Sequence, residues 1–304
     1  MRIRLSELKR IIRDAILNEI NISNVQDICF TGGSSHVMRT CKIGEKSFFL
    51  KFGDKDLYPA GSLDPSLQVL VEFLAYQIYG LYKGVRIPKN IVLVYDEKTN
   101  NVGIATGAIK GQMAGQLRYA GDYKENMKKL AQQLSNGIYV DILLANRDVI
   151  GTGAGNVMIP QEEDGDTSAE PIRLDPGASL DFRARGERKG FSPRAGELKS
   201  MLDPTRGAGE VFQYADLKRA ASTFRKVSWG TISTTIDTVS KKISDELAEN
   251  GMNDIQAAWE AEMAKMVPIL EKRYQVIMDN IGWIEETTQL FMRGQLRCNC
   301  LHLN

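Results

Sequence analysis

The spacing of hydrophobic residues changes along the chain, and it predicts which parts are helical and which are extended. Near the start, apolar side chains recur at helical spacing, which predicts an amphipathic helix. These positions are Leu5, Leu8, Ile12, Ile16 and Ile20. Extended segments follow at residues 25–30, 37–43 and 46–52, and glycine-containing turns join them at residues 31–35 and 44–45. This order predicts an antiparallel meander.

The pattern then becomes more helical. An apolar-rich helix is predicted over residues 66–82, followed by a β-hairpin formed by residues 91–95 and 102–109. One or two helices are predicted over residues 122–145, and long helices over residues 216–291, with breaks near Gly251 and Pro268. We therefore predict an α+β, bilobal fold in which a β-rich N-lobe precedes a helical C-lobe.

This change of pattern also predicts the domain organisation. An N-terminal helix at residues 1–24 precedes a β-rich lobe at 25–110, a helical lobe at 111–292 and a tail at 293–304. Hydrophobic residues make up 43% of the chain and charged residues 25%, which is ordinary for a globular protein. The formal net charge is only +1, whereas nucleic-acid-binding domains usually have a basic excess, so nucleic acid is not expected as the main partner.

The chain shows no sign of a membrane segment or a secretory signal. No apolar run reaches the ~20 residues that a membrane-spanning helix needs. The first residues lack the apolar core of a signal peptide. The four cysteines form no dense disulfide framework, which favours a reducing compartment. We therefore expect a cytoplasmic protein without a membrane partner.

Polar residues in the β-rich part suggest nucleotide binding. Gly32, Gly33 and Ser34 lie between two strands, where glycines let the backbone approach phosphates, although a plain hairpin turn is the simpler explanation. Lys51 is a lone cation in an apolar strand, and protection of a sheet edge is the alternative explanation for it. Glu72 is a carboxylate in an apolar helix, so it is either solvated or buried with a partner. Lys51 would be that partner.

Further along, polar residues follow apolar segments in places where they could serve catalysis. Asp148 and Asn156 flank a glycine-rich turn after a predicted helix, and Asp175 ends an apolar strand before Pro176 and Gly177. Oxygen ligands suit Mg²⁺, and a carboxylate can orient an acceptor hydroxyl and take its proton. Satisfying turn backbone is the alternative role for each of these residues.

In their order and predicted settings, these residues resemble the motifs of the protein-kinase-like superfamily. Arg147-Asp148 resembles the core of the His-Arg-Asp motif, and Asn156 resembles its metal-binding asparagine. Asp175-Pro176-Gly177 resembles the Asp-Phe-Gly motif, and Lys51 with Glu72 resembles the lysine–glutamate ion pair. Asn146 replaces the motif histidine, and the seven residues between Asp148 and Asn156 exceed the usual spacing. The style is that of the divergent HipA-like and phosphoinositide-kinase-like branches.

The resemblance implies an ATP- and Mg²⁺-dependent phosphotransferase. Lys51, held by Glu72, would contact the α- and β-phosphates, and Asn156 and Asp175 would hold Mg²⁺. Asp148 would orient the acceptor, which would be a protein or a small molecule. The resemblance also implies that Gly32, Gly33 and Ser34 cover the phosphates, and that the backbone of residues 105–111 contacts adenine.

Other functions remain open at this point. A kinase-like fold can also transfer AMP or drive another ATP-dependent reaction, and it can persist in a pseudokinase or a phage structural protein that only binds partners. Residues 5–16 are similar to the N-termini of proteins of large tailed phages, which implies a phage-encoded protein in the host cytoplasm. Residues 183–189 are basic and would hold an acidic substrate or form a solvated loop.

Overall fold

The predicted α+β fold is confirmed. The computed structural model describes residues 26–31, 37–43, 46–53, 58, 62–96, 101–119, 121–161, 170–183, 186–205 and 207–292. Within them, small antiparallel sheets lie toward the N-terminal part and helices make up the C-terminal part. The predicted N-terminal helix and the tail at residues 293–304 lie outside the described residues.

The larger sheet combines the predicted meander with the predicted hairpin. Its strands are β1 (Gln26–Thr31), β2 (Val37–Ile43), β3 (Lys46–Phe52), β4 (Val92–Asp96) and β5 (Asn101–Gly107). Their order is β1-β2-β3-β5-β4, and each neighbouring pair is antiparallel. Strand β5 therefore joins the hairpin to the meander through β3.

A second, smaller sheet has three strands. It consists of β6 (Gly111–Met113), β7 (Val157–Pro160) and β8 (Ile172–Arg173), in the order β6-β7-β8. Both pairings are antiparallel. Strand β7 directly follows Asn156, and β8 is followed closely by Asp175, so the pairing of β7 with β8 brings the segments that carry these two residues together.

Strand β3 separates an apolar face from the face that bears Lys51. Successive side chains of a strand point to opposite faces. Phe48, Leu50 and Phe52 share one face and form a small core with Val94 and Ala105. Lys51 therefore points to the opposite face, where a helix packs against β3.

That helix is α1 (Pro65–Tyr79), and it occupies the centre of the molecule. Asp64 caps it by accepting a hydrogen bond from Ser66 N at 2.8 Å, and Pro65 stands in the first turn, where no N–H is required. Every residue of α1 except Gln77 is buried. The helix contacts β3, β5 and the two longest C-terminal helices.

The remaining helices form the C-terminal part. They are α2 (Tyr123–Leu134), α3 (Ile138–Leu143), α4 (Glu197–Ser200), α5 (Gly207–Phe212), α6 (Leu217–Phe224), α7 (Trp229–Glu249) and α8 (Asn253–Met292). Helices α7 and α8 are the two that pack against α1. In the described ranges, no helix is both long and apolar enough to traverse a bilayer.

The predicted helix break near Gly251 is present, whereas the predicted break near Pro268 is wrong. The chain turns between α7 and α8 at Gly251, whose φ of 71° is left-handed and suits glycine. Pro268, in contrast, lies inside α8 and does not end it. A proline removes one helical hydrogen bond. Buried neighbours such as Met266 and Leu270 pack α8 against the core on either side of Pro268, and this packing outweighs the lost bond.

Candidate active site

Lys51 lies at the centre of the candidate site and contacts two carboxylates at once. Its Nζ atom is 2.6 Å from Glu72 Oε2 and 2.5 Å from Asp175 Oδ1. The side chains of Lys51 and Glu72 are 9% and 3% exposed, whereas that of Asp175 is 46% exposed. The site is thus a buried ion pair with one carboxylate at its accessible edge.

The elements described above place these groups. Lys51 projects from β3 toward α1, and Glu72 projects from α1 toward β3. One turn further along α1, the Tyr76 hydroxyl accepts a hydrogen bond from Asp175 N at 3.1 Å. Helix α1 therefore holds both the partner of the lysine and the loop that carries Asp175.

Two carboxylates surround one lysine in the site, and this excess of negative charge shifts the pKa values of Lys51 and Glu72. Burial alone lowers the pKa of Lys51. The charges of Asp175 and Glu72 raise this pKa by more than burial lowers it, so the net shift is upward. Burial raises the pKa of Glu72, Asp175 adds to that rise, and Lys51 opposes it. The Lys51 ammonium consequently stays charged at any physiological pH. Glu72 holds its proton more tightly than an exposed carboxylate does.

Asp148 and Asn156 come together despite the long segment between them. Asn156 Nδ2 donates to the Asp148 backbone oxygen at 2.6 Å. The intervening residues fold into a tight excursion with left-handed backbone at Gly151, Gly153 and Ala154. A Cβ atom at Gly151 would lie 2.6 Å from Asn156 Cγ, so glycine is required there for the asparagine to pack.

Asp148 is exposed on this loop, and other groups influence its charge. Partial burial raises the pKa of Asp148, and the charge of Asp175 raises it further. A hydrogen bond from the Asn156 side chain and the charge of Lys189 both lower it. The net shift is upward, which makes Asp148 a stronger base than an exposed carboxylate.

The loop that carries Asp175 is tightly wound around the ion pair. Asp175 has a φ of 46°, and its carboxylate accepts a hydrogen bond from Gly177 N at 3.3 Å, which starts a 3₁₀ turn over Pro176–Ala178. A Cβ atom at Gly177 would lie 2.8 Å from Glu72 Oε2 and 3.3 Å from Lys51 Nζ. The missing side chain of Gly177 therefore makes room for the contact between Lys51 and its carboxylates.

Backbone hydrogen bonds join the Asp148 loop to the Asp175 loop. Leu174 N donates to Asn156 O at 2.8 Å, and Leu180 N donates to Leu144 O at 2.6 Å. Asn156 and Asp175 are therefore on adjoining segments. Their oxygen atoms form a donor set that suits a hard cation.

This chain is similar to kinases of known structure. One is the Helicobacter pylori proinflammatory kinase CtkA, with 12% identity, a TM-score of 0.47, and coverage of 84% of this chain and 97% of that chain. Another is the MAP kinase LmaMPK10 from Leishmania major, with 10% identity, a TM-score of 0.33, and coverage of 76% and 64%. No protein-family model and no curated protein matched the chain.

A protein from Ralstonia eutropha JMP134 that is assigned as an aminoglycoside phosphotransferase is also similar. It has 12% identity and a TM-score of 0.31, and the similarity covers 90% of this chain and 98% of that chain. These similarities are distant, and the side-chain geometry of the site is what bears on function.

Beneath the site, a buried network joins three elements. Arg173 of β8 and Asp141 of α3 form a bidentate ion pair, with both nitrogen–oxygen distances at 3.0 Å and both side chains nearly inaccessible. The Tyr79 hydroxyl of α1 donates to Asp141 Oδ1 at 2.7 Å and accepts from Asn146 Nδ2 at 3.0 Å. The network thus links α1 to the residues that precede Asp148 and Asp175.

A second charged network lies on the other side of the Asp148 loop. Arg147 and Arg273 share the carboxylate of Glu197, at 2.8 Å and 2.6 Å. Arg273 also donates to Leu143 O at 2.9 Å and to Ile142 O. The Arg147 side chain is therefore occupied by a carboxylate of this chain, and α8 is bonded to the end of α3.

The remaining sequence predictions fall outside the site or change meaning. Gly32, Gly33 and Ser34 lie outside the described residues. In the linker expected to contact adenine, the N–H groups of Gly107 and Ala108 donate to Lys89 O and Ser47 O, each at 2.8 Å. Those two donors are used within the protein, so adenine contact by the other linker residues stays a prediction.

The basic stretch at residues 183–189 does not present all its cations to solvent. Arg188 pairs with Asp181 at 2.6 Å and with Glu262 at 3.0 Å. Lys189 turns toward backbone carbonyls. These two residues are engaged within the protein and are not free to hold an acidic substrate.

The sequence pattern did not predict the buried pair of Asp141 and Arg173 or the contacts of Lys189 with two backbone carbonyls. A faint signal existed for the pair, because each charge stands within an apolar run, as Lys51 and Glu72 do. Nothing in the pattern joins residues that are 32 positions apart. A cavity of about 480 Å³ beside α2, lined by residues that include Leu130, Gln133 and Arg219, contains none of the candidate site residues.

Proposed function

We propose that this protein is an ATP- and Mg²⁺-dependent phosphotransferase with a protein-kinase-like fold. The observation that supports the proposal most strongly is the simultaneous contact of Lys51 with Glu72 and Asp175, at 2.6 Å and 2.5 Å. A lysine that is held by a buried carboxylate presents a fixed positive charge, as phosphate binding requires. The nearby Asp148 supplies a second, separate carboxylate for chemistry on the acceptor.

The residues present suit a magnesium ion that arrives with a nucleotide. Mg²⁺ is usually bound through one or two carboxylates together with substrate phosphates rather than by an all-protein cage. Asp175 and Asn156 offer this kind of ligand set, and no cluster of three or more metal-ligating His, Cys, Asp or Glu side chains occurs among the described residues. Bound there, Mg²⁺ would neutralise charge on the phosphate oxygens.

The residues of the chain take distinct roles in this proposal. The exposed carboxylate of Asp175, together with Asn156, would hold the cation, and the Lys51 ammonium, held by Glu72, would bind the α- and β-phosphates. Gly32, Gly33 and Ser34 cover the phosphates. Asp148 orients the acceptor hydroxyl and takes its proton.

The proposed reaction transfers the γ-phosphoryl group of ATP to a hydroxyl group of the acceptor. The acceptor oxygen forms a bond to the γ-phosphorus, and the bond from that phosphorus to the bridging oxygen of ADP breaks. ADP leaves with the electron pair, and the hydroxyl proton passes to Asp148. The acceptor is a protein or a small molecule with a hydroxyl group.

We also propose that the protein acts in the cytoplasm. We propose further that it is encoded by a phage and belongs to a HipA-like or phosphoinositide-kinase-like branch.

Substitution of Asp148 by asparagine tests the proposal. Asp148→Asn keeps the size of the side chain but removes the base, so the turnover of ATP to ADP should fall by ~100-fold or more. The affinity for Mg²⁺·ATP should change little, because Lys51, Asn156 and Asp175 provide binding. Asp175→Ala should show the opposite pattern and lose Mg²⁺-dependent binding. Calorimetry measures the affinity, and release of ADP, with autophosphorylation, measures turnover.

The exposed Asp237 on α7 provides a matched control, because Asp237→Asn makes the same chemical change away from the site. Wild-type protein that does not bind Mg²⁺·ATP contradicts the proposal as a whole. Full turnover by Asp148→Asn removes Asp148 from the mechanism. Mass spectrometry of the modified acceptor distinguishes an added phosphate from an added AMP.

A further inference from the structure

One lysine that the proposed chemistry does not use lies beneath both functional loops. Lys189 Nζ is 2.5 Å from Ala145 O and 2.5 Å from Ala178 O. Ala145 precedes Asp148 on one loop, and Ala178 ends the turn that begins at Asp175 on the other. Within the described ranges, no carboxylate lies within ion-pair distance of Nζ, so the two carbonyls are its partners.

Each of the two carbonyls belongs to a turn that contains a left-handed residue. Ala145 has a φ of 53°, and Asp175, at the start of the second turn, has a φ of 46°. Residues with side chains rarely adopt this left-handed conformation, and it persists only when surrounding contacts hold it. A single amino group bound to both turns provides such a contact.

Backbone hydrogen bonds also join the two loops, next to these turns. The backbone bonds from Leu174 N to Asn156 O and from Leu180 N to Leu144 O lie on either side of them. The Ala145 carbonyl also accepts Arg147 N at 3.0 Å, so the same oxygen fixes the start of the Asp148 loop. Lys189 thereby connects the turn before Asp148 to the turn after Asp175.

This connection does not depend on the charge of Lys189. Burial lowers the pKa of Lys189 to about 7; Glu197 and Asp181 oppose the shift, whereas Arg147 and Arg273 add to it. A lysine ammonium has three N–H donors, and the neutral amine keeps two. Both forms can therefore serve two carbonyls.

We propose that Lys189 is a positioning residue that holds Asp148 and Asp175 in the relative arrangement that phosphoryl transfer requires. This inference rests on the proposed function, because it assigns Lys189 to the same site. Lys189 contacts neither the nucleotide nor the acceptor. It acts through the backbone of the two loops, and small displacements of reacting groups are costly for catalysis.

Three variants test this role. Lys189→Met keeps the aliphatic chain but removes the donors, so turnover at saturating ATP should fall by ~10- to 100-fold, as expected when reacting groups are misplaced. The affinity for Mg²⁺·ATP should fall much less than turnover, because Lys51 and its partners remain. Lys189→Arg keeps donors that can reach carbonyls and should restore most of the turnover. Lys199→Met, at an exposed lysine on α4, is the matched control.

The outcomes separate this inference from the proposed function. Equal turnover in Lys189→Met and the wild type overturns the inference and leaves the proposed function standing. A proportional loss of affinity and turnover, with a lower melting temperature and no rescue by Lys189→Arg, shows that Lys189 only supports the fold and also overturns it. Wild-type protein that fails to bind or turn over Mg²⁺·ATP overturns the proposed function, and the inference falls with it.

Discussion

A missing side chain at Gly177 is as important to the candidate site as the charged groups themselves. In Gly177→Ala, the new methyl group would lie 2.8 Å from Glu72 Oε2 and 3.1 Å from Asp175 Oδ1. These atoms are held by Lys51, so relief of the clash must lengthen a charge-assisted hydrogen bond. Loss of one such bond costs ~1.5–3 kcal/mol, so we expect Mg²⁺·ATP affinity to fall by ~10- to 100-fold in calorimetry.

The control for this variant is Gly196→Ala, because a Cβ atom at Gly196 would meet no other atom within 4 Å. Gly196 has an ordinary helical φ of −58°, so the substitution introduces no backbone strain. Affinity in Gly177→Ala that matches the control would show that the ion pair can move away without consequence for binding.

At the residue scale, the order and settings of the motifs predicted a Lys51–Glu72 ion pair and placed Asp175 in the same site as a metal ligand. The structure places Lys51 in contact with Glu72 and also with Asp175, which lies 124 positions away. Lys189 could not be found in this way. Its partners are backbone carbonyls, which every residue possesses, so no side-chain pattern marks them.

At the element scale, the buried pair of Asp141 and Arg173 joins α3 to β8, and Tyr79 joins both to α1. Asp141→Ala leaves the Arg173 guanidinium buried without its carboxylate. Breaking a buried pair in this way destabilises a protein by ~3–5 kcal/mol. We expect that loss in the free energy of unfolding, measured by chemical denaturation.

A double-mutant cycle makes this test specific. In Asp141→Ala combined with Arg173→Met, no unpaired buried charge remains, so the double variant should lose less stability than the sum of the single losses. Asp237→Ala, at an exposed position of α7, should change stability by no more than ~0.5 kcal/mol. Strictly additive losses would show that the two side chains contribute independently.

The elements themselves were more predictable than their arrangement. The predicted helix over residues 66–82 corresponds to α1, and the predicted hairpin corresponds to β4 and β5. Hydrophobic spacing does not reveal which strand a hairpin joins, so the pairing of β3 with β5 required the structure. The prediction of a helix break at Pro268 was wrong because the packing of α8 outweighs the local propensity of proline.

At the scale of the whole molecule, the order of sheets and helices was predictable because the spacing of apolar residues becomes mainly helical after the predicted hairpin. The contacts of α7 and α8 with α1 were not predictable, since they join residues from opposite ends of the chain. A further long-range contact is the hydrogen bond of 2.7 Å from the Tyr95 hydroxyl on β4 to Glu246 on α7. Such contacts make the sheet and the C-terminal helices depend on each other.

The burial of α1 has a consequence for amide hydrogen exchange. Because every residue of α1 except Gln77 is buried by surrounding elements, its N–H groups have no route to water that leaves the rest of the molecule folded. We expect their exchange free energy, measured by mass spectrometry, to equal the global free energy of unfolding. The amides of α2, which is buried only along Met127, Leu130, Ala131 and Leu134, should exchange through smaller local openings. Glu72 would then leave Lys51 only when the whole molecule unfolds, and faster exchange in α1 than in α2 would contradict this coupling.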